Sequence, residues 1–143
     1  MGAGCGAFVA MGLRACVLVL LLGVCALAQI QLQDMQRESR WLRMSAEKLY
    51  TFTPAPFGPD WQNTQNDHGS FLKRARQFER AWMDHDATLD TTRGDYKLVR
   101  SSFDKIKLFA RLNMNAQEVD TIEHMLERLD VIYGINPVQE ATP

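Results

Sequence analysis

Cysteine is missing from most of this chain. Its three cysteines, Cys5, Cys16 and Cys25, all lie close to the amino terminus, and residues 29–143 contain none. That larger part therefore cannot form a disulfide, a thiolate metal site, a cysteine nucleophile or the paired attachment site of a c-type haem. Without covalent cross-links, its stability has to come from a hydrophobic core.

Several motifs of catalysis and phosphate binding are also missing. The chain has no glycine-rich phosphate loop, and Ser70, Ser101 and Ser102 do not stand in a strand-turn-helix nucleophile elbow. No two histidines have an H-x₃-H spacing, and no inward Glu-x-x-His pair of the di-iron bundles is found. The sequence therefore predicts a protein that is not an enzyme and that carries no cofactor.

Positive charge is neither abundant nor concentrated. The formal net charge is −1, and it becomes one unit more negative when Arg14 is removed. The basic residues Lys73, Arg74, Arg76 and Arg80 are interrupted by Glu79, which is typical of a solvated helix face. We therefore expect no nucleic-acid partner.

The first 28 residues have the three parts of a secretory signal peptide. Arg14 precedes an apolar run over 15–27, and Ala26-Leu27-Ala28 forms a small-x-small end. The run falls short of the roughly 20 residues that span a bilayer. We predict a signal peptide over 1–28, cleavage before Gln29, a periplasmic or secreted location and no membrane contact after cleavage. A retained membrane anchor is the alternative.

Apolar residues recur at steps of three and four in four later segments, which predicts four helices. The expected bounds are about 34–51, 70–89, 93–112 and 116–133. The predicted core stripes are Met35, Leu42, Ala46 and Leu49; Phe71, Ala75, Phe78, Trp82, His85 and Leu89; Tyr96, Val99, Phe103, Ile106 and Ala110; and Val119, Ile122, Leu126, Leu129 and Tyr133.

The predicted fold is all-α, an antiparallel four-helix bundle of up-down-up-down topology over 29–133, followed by a flexible tail over 134–143. Basic residues on the third helix and acidic residues on the fourth predict complementary charge along their seam. Asp67 or Ser70 is the expected N-cap of the second helix, and Thr91 or Thr92 that of the third, after a turn over 90–95. Asn115 with Glu118 predicts a capping box before the fourth, and Gly134 its end.

A long Pro-rich connector is predicted over 53–67, between the first two helices. Its aromatic residues Phe57 and Trp61 favour partial order. They either cap one end of the bundle or form a recognition site. Trp41 lies off its helix stripe, either packed at the flank or in contact with a partner.

Leu98, Phe109 and Leu112 form a second apolar set on the third helix. A helix this broadly apolar is expected to be covered on two sides, and the sequence favours two neighbouring helices over another protein as the cover. With Phe57 and Trp61, these residues are the candidate partner-binding surface.

Histidine offers the one route to interior chemistry. His85 is predicted on the stripe of the second helix, where it either makes a core hydrogen bond or ligates a metal. Thioether and imidazole ligands suit copper in an exported protein, so the alternative function is a copper or cofactor site built from Met83, His85, His124 and Met125. Asp84 and Asp86 could add oxygen ligands.

The arrangement resembles small secreted all-helical bacterial proteins of uncharacterised function. The resemblance covers about 70–133 and rests on core positions, namely Leu72 or Phe71 with Ala75 and Phe78, Tyr96-x₂-Val99-x₃-Phe103-x₂-Ile106, and Val119-x₂-Ile122-x₃-Leu126-x₂-Leu129-x₃-Tyr133. It implies an exported helical domain and transfers no functional residue. The sequence as a whole predicts a non-enzymatic, envelope-associated interaction or structural module.

Overall fold

The computed structural model describes residues 5–51 and 61–135, and the side chains of residues 12–51 and 63–135. All regular structure in these ranges is helical. The four helices are α1 (Cys5–Thr51), α2 (Trp61–Trp82), α3 (Leu89–Asn113) and α4 (Ala116–Tyr133). The predicted all-α class with four helices is confirmed for the described residues.

The chain divides into two compact units, Met1–Asp34 and Met35–Pro143. In the first unit, the side chains of residues 12–30 are all exposed to solvent, although most of them are apolar. By length and composition, α1 is the one helix among the described residues that could cross a membrane. A signal sequence has the same properties, so the helix is compatible with both.

The second unit has a continuous apolar core to which all four helices contribute. Burying each large apolar side chain contributes about 1.5–3 kcal/mol. The predicted stripes are confirmed, apart from the last two positions of the second helix. The buried apolar residues are Met35, Leu42, Ala46 and Leu49; Phe71, Leu72, Ala75, Phe78 and Trp82; Tyr96, Val99, Phe103, Ile106 and Ala110; and Val119, Ile122, Leu126, Leu129 and Tyr133.

Residues 35–51 of α1 contact both α2 and α4. On the α2 side, Arg43 Nε lies 2.6 Å from a carboxylate oxygen of Glu79, and Gln36 donates a 2.9 Å hydrogen bond to the carbonyl of Trp82. On the α4 side, Lys48 Nζ lies 2.5 Å from Glu118, whose side chain is almost fully buried.

Helix α3 contacts both α2 and α4. Phe103 packs against Phe71 of α2 with ring centroids 5.5 Å apart. Toward α4, Arg111 contacts both Asp120 and Glu123 at 2.6 and 2.7 Å. These contacts fit a helical bundle, and the complementary charge predicted along the α3–α4 seam is confirmed.

The boundaries of α2 differ from the prediction. The helix begins at Trp61 and not near residue 70, because residues 61–67 contain no proline or glycine and helix formation there is tolerated. The predicted caps Asp67 and Ser70 are therefore internal. The predicted connector is helical from residue 61, and the rest of it lies outside the described residues.

At its other end, α2 stops at Trp82 and not at Leu89. The Asp84 carboxylate accepts a hydrogen bond from the backbone N–H of Asp86 over 3.2 Å, a local turn that competes with further helix. Leu89 is instead the first residue of α3, and the turn predicted over 90–95 is helical.

The helix caps explain where α3 and α4 start. Thr88 is the N-cap of α3 and forms a reciprocal capping box with Thr91, so the predicted caps Thr91 and Thr92 are inside the helix. Asn115 caps α4 as predicted and accepts a 3.1 Å hydrogen bond from the backbone of Glu118. The Glu118 side chain pairs with Lys48 instead of completing the box. Gly134 ends α4 with φ 64°, a left-handed conformation that favours glycine.

Candidate interaction surface

The side of α3 turned away from the core carries four large apolar residues, Leu98, Leu108, Phe109 and Leu112, here called the α3 outer face. At 100° per residue they fall within roughly 100° of one another. Leu108 and Leu112 are 69% and 74% exposed, and Leu98 is 42% exposed. The expectation that neighbouring helices would cover Leu98 and Leu112 is therefore wrong for the described residues.

Phe109 is the anchored member of this face. It is half-buried, and its ring meets the His68 ring of α2 edge-on, with centroids 6.1 Å apart and planes at 73°. The predicted second apolar set, Leu98, Phe109 and Leu112, thus lies on one side of α3, although its members differ in exposure. Leu108 was not predicted, but its ten-residue spacing from Leu98 places it near the same face.

His68 is buried at the edge of this face, although it precedes the expected start of the second helix near residue 70. It is 2% exposed, and its Nε2 has no hydrogen-bond partner in the described part of the chain. Burial lowers the pKa of His68, and the negative charge of nearby Asp67 offsets part of that shift. Neutral imidazole is therefore the favoured form in the folded protein.

Two predicted members of the surface are not placed by the structure. Phe57 lies outside the described residues. Trp61 is the first residue of α2, and its side chain also lies outside them. Their participation stays a prediction.

The prediction that His85 lies on the core stripe of the second helix is wrong. Because α2 ends at Trp82, His85 falls in the exposed turn before α3, and its side chain is 88% exposed. Its Nδ1 lies 3.3 Å from Asp84 and its Nε2 3.2 Å from Asp86. Imidazole in this position cannot form an interior metal or haem site.

The four residues of the copper hypothesis are spread over the bundle. Met83 and His85 occupy the turn after α2, whereas His124 is exposed on α4, with Nδ1 3.2 Å from Glu127. Tyr133, which contacts Trp82 at the end of α2, is nine residues beyond His124, a rise of about 13.5 Å along the helix. Met125 instead borders a groove between α1 and α4.

The described part of the chain contains one group of residues that are close enough together to hold a metal ion. It consists of Asp84, His85 and Asp86, whose potential ligand atoms all lie within 4.8 Å of one another. All three side chains are exposed, and they are consecutive in one turn. Exposed acidic clusters of this kind are common without a metal. Metal binding by this protein stays a prediction.

A buried hydrogen-bond network joins the ends of three helices. Trp82 Nε1 donates to the Tyr133 hydroxyl over 3.1 Å, and that hydroxyl lies 2.7 Å from the Thr92 hydroxyl. Thr92 also lies 2.7 Å from the carbonyl of Thr88. Burial raises the pKa of Tyr133, which keeps its hydroxyl protonated.

A second buried hydrogen-bond network lies about one helical turn from the first, between α3 and α4. The Tyr96 hydroxyl donates to the Asp130 carboxylate over 2.5 Å, and Arg100 Nε approaches the other oxygen of that carboxylate at 3.2 Å. The Tyr96 and Tyr133 rings stack with centroids 4.6 Å apart. Burial, followed by the bond to Asp130, strongly raises the pKa of Tyr96. These groups satisfy one another inside the core, so their evident role is to fix helix register.

Trp41, Met44 and Met125 border a groove of about 470 Å³ between α1 and α4. Trp41 is 45% exposed, and the Arg37 guanidinium lies over its ring at 5.6 Å from the centroid. The two alternatives predicted for Trp41, packing at the flank and contact with a partner, both stay predictions.

Comparison of the chain with models of known protein families, with curated proteins and with solved structures finds no match. Any functional conclusion therefore depends on the chain's own residues.

Proposed function

We propose that this chain is an exported, non-enzymatic helical-bundle protein that acts through its surface, as an interaction or structural module associated with the cell envelope. The observation that supports this proposal is the α3 outer face. Large exposed apolar side chains in a row are characteristic of protein-binding surfaces. The core is formed by other residues, so folding of the bundle does not require the exposed side chains of Leu98, Leu108 and Leu112.

The partner we propose is an amphipathic helix of another protein, with an apolar stripe and acidic flanking residues. Leu98 and Leu112 are separated by 14 residues, or about 21 Å of helix, which is long enough to receive several turns of a partner helix. Lys105 lies between them on the same side of α3 and is exposed. Its ammonium group would favour a carboxylate on the partner. Phe57 and Trp61 are proposed to extend the contact.

The proposed topology is an antiparallel up-down-up-down bundle. Along α1, Gln36, Arg43 and Glu47 meet Trp82, Glu79 and Arg76 of α2 in decreasing order. Along α3, Arg93, Arg100 and Arg111 meet Tyr133, Asp130 and Asp120 of α4 in the same reversed sense. Short connections over 83–88 and 114–115 suit antiparallel neighbours.

The proposed location is the periplasm or the exterior of the cell, with residues 1–28 acting as a signal peptide. The exposed apolar side chains of residues 12–30 support it, because such a surface is unfavourable in water and is removed by cleavage or by a bilayer. Mass spectrometry of the protein from its native host decides between the two fates. A terminus at Gln29 supports cleavage, whereas an intact chain in the membrane fraction would show a retained anchor.

A pair of matched double variants tests the interaction. Leu98→Gln with Leu112→Gln alters the α3 outer face, and Val131→Gln with Ile132→Gln alters exposed apolar residues of α4 to the same extent. A photoreactive residue at Ser101, on exposed α3 surface near Leu98, reports the partner. We expect the first pair to abolish crosslinking to an endogenous protein and the second to preserve it.

The melting temperature of each variant supplies the folding control. If the α3 variant unfolds, its leucines belong to the core and the proposal fails. Equal crosslinking in both variants would also contradict it, because binding would then not depend on this face.

A further inference from the structure

A second surface of the bundle has a different character from the α3 outer face. The last turn of α1 and the outer side of α2 border a groove of about 420 Å³, within the size range of small-molecule sites. Its polar lining comes from Lys73, Arg76, Gln77 and Arg80, and Leu72 and Tyr50 supply apolar surface. Among the described residues that line it, none carries a carboxylate.

The three cations lie on one side of α2 because they follow one another at steps of three and four. Arg80 is seven positions after Lys73, so their backbones are about 10.5 Å apart along the helix. Arg76, between them, is fixed by Glu47 of α1 at 3.0 Å. Neither Lys73 nor Arg80 has a carboxylate within 4 Å in the described part of the chain. Positive charge in the groove is therefore only partly neutralised.

Glu79, the acidic residue that interrupts this basic run in the sequence, does not face the groove. Its carboxylate is held by α1, 2.6 Å from Arg43 Nε and 3.7 Å from Arg40 Nε. Those two arginines balance Glu79 at the α1–α2 seam. Glu79 and the basic residues that surround it in the sequence therefore lie on different sides of α2 in the fold.

We propose that this groove binds a phosphate group. A phosphate offers three acceptor oxygens and up to two negative charges, which matches a row of three cationic donors better than one carboxylate does. Gln77 Oε1 accepts a 3.0 Å hydrogen bond from Arg74, which leaves the Gln77 amide N–H₂ to donate to the ligand. Tyr50 and Leu72 would contact the apolar part of a phosphate ester. Free phosphate and the headgroup of a phospholipid share this chemistry.

The test uses the full chain in a neutral detergent, titrated by calorimetry with inorganic phosphate and, separately, with a soluble short-chain phosphatidylglycerol. Lys73→Gln with Arg80→Gln removes the unpaired cations. Lys97→Gln with Arg128→Gln is the matched control, because it removes the same charge from exposed positions on α3 and α4. We expect saturable binding that is weakened at least tenfold by the first pair and about twofold or less by the second.

A charge-conserving pair, Lys73→Arg with Arg80→Lys, should retain affinity to within roughly threefold if charge in the groove is what binds. Binding of both ligands assigns the groove to phosphate in general, and binding of the lipid alone assigns it to a headgroup. Absence of saturable binding with either ligand overturns the proposal. Equal weakening by both glutamine pairs also overturns it, because the effect would then come from overall charge. Neither result bears on the α3 outer face, whose test is separate.

Discussion

The indole nitrogen of Trp82 donates a 3.1 Å hydrogen bond to the hydroxyl of Tyr133, which joins the last residue of α2 to the last residue of α4. Both side chains are almost fully buried. The same hydroxyl meets Thr92 near the start of α3. One phenol oxygen therefore connects three helices at one end of the bundle.

Tyr133→Phe should lower the free energy of unfolding by about 1–3 kcal/mol, because it leaves the buried Trp82 N–H and the Thr92 hydroxyl with one partner fewer while conserving the ring. Urea unfolding followed by circular dichroism measures the change. A double-mutant cycle with Thr92→Val isolates their coupling. An unchanged unfolding midpoint in Tyr133→Phe would show that this hydroxyl contributes no stability.

Tyr96 should make the protein sensitive to alkali. A tyrosine in the unfolded chain loses its proton near pH 10, whereas burial and Asp130 raise the pKa of Tyr96 in the folded state. Its contribution to stability is therefore complete below about pH 10 and is lost as the pH rises further. Tyr96→Phe should flatten this alkaline decline in urea unfolding. A decline of unchanged slope would assign it to other groups, with Tyr133 the first to examine.

His68 should make the stability of the folded protein depend on pH under mildly acidic conditions. An unfolded histidine takes up a proton near pH 6.5, and burial lowers the pKa of His68 in the folded state. The folded protein is therefore favoured above about pH 6.5 and loses stability as the pH falls below it, until the folded pKa is reached. His68→Leu should reduce this acid dependence, as measured by unfolding midpoints between about pH 5 and 7.5.

His124→Leu is the control for that experiment, because His124 is exposed on α4. Its unfolding should follow the same pH dependence as the unmodified protein. If His124→Leu and His68→Leu change the dependence equally, burial of His68 is not its cause.

Leu126→Ala should cost about 2–5 kcal/mol, because Leu126 is completely buried and its truncation leaves a cavity in the core. Val131→Ala on the same helix should change stability by less than about 0.5 kcal/mol, since Val131 is 81% exposed. Chemical unfolding of the two variants provides the comparison. Similar losses in both would mean that the α4 stripe has been wrongly oriented.

Much of the fold was predictable because helical spacing reports which residues are buried. Val119, Ile122, Leu126 and Leu129 were recognised from spacing alone, and all four are buried. Spacing does not report where a helix stops when no proline or glycine intervenes. The turn made by Asp84 ends α2 by a local hydrogen bond, and that is why His85 was wrongly placed in the core.

The candidate surfaces were predictable only in part. Leu98 and Leu112 were identified as a second apolar set, but the sequence favoured neighbouring helices as their cover. The groove beside Lys73 and Arg80 was not predicted, because Glu79 interrupts the basic residues in the sequence. In the structure Glu79 pairs with Arg43 of α1 and does not neutralise the groove. Contacts between helices depend on their relative positions, which the pattern within one helix does not contain.

The ion pairs between α1 and α4 have a consequence for how the protein forms. Glu38 meets Arg128, 90 positions later in the chain, at 2.9 Å, and Lys48 meets Glu118. During synthesis these contacts between α1 and α4 therefore form only after the last helix has been made. Until then, apolar surface of the incomplete chain is exposed, which favours aggregation. The packing of the bundle is therefore complete only after α4 has been synthesised.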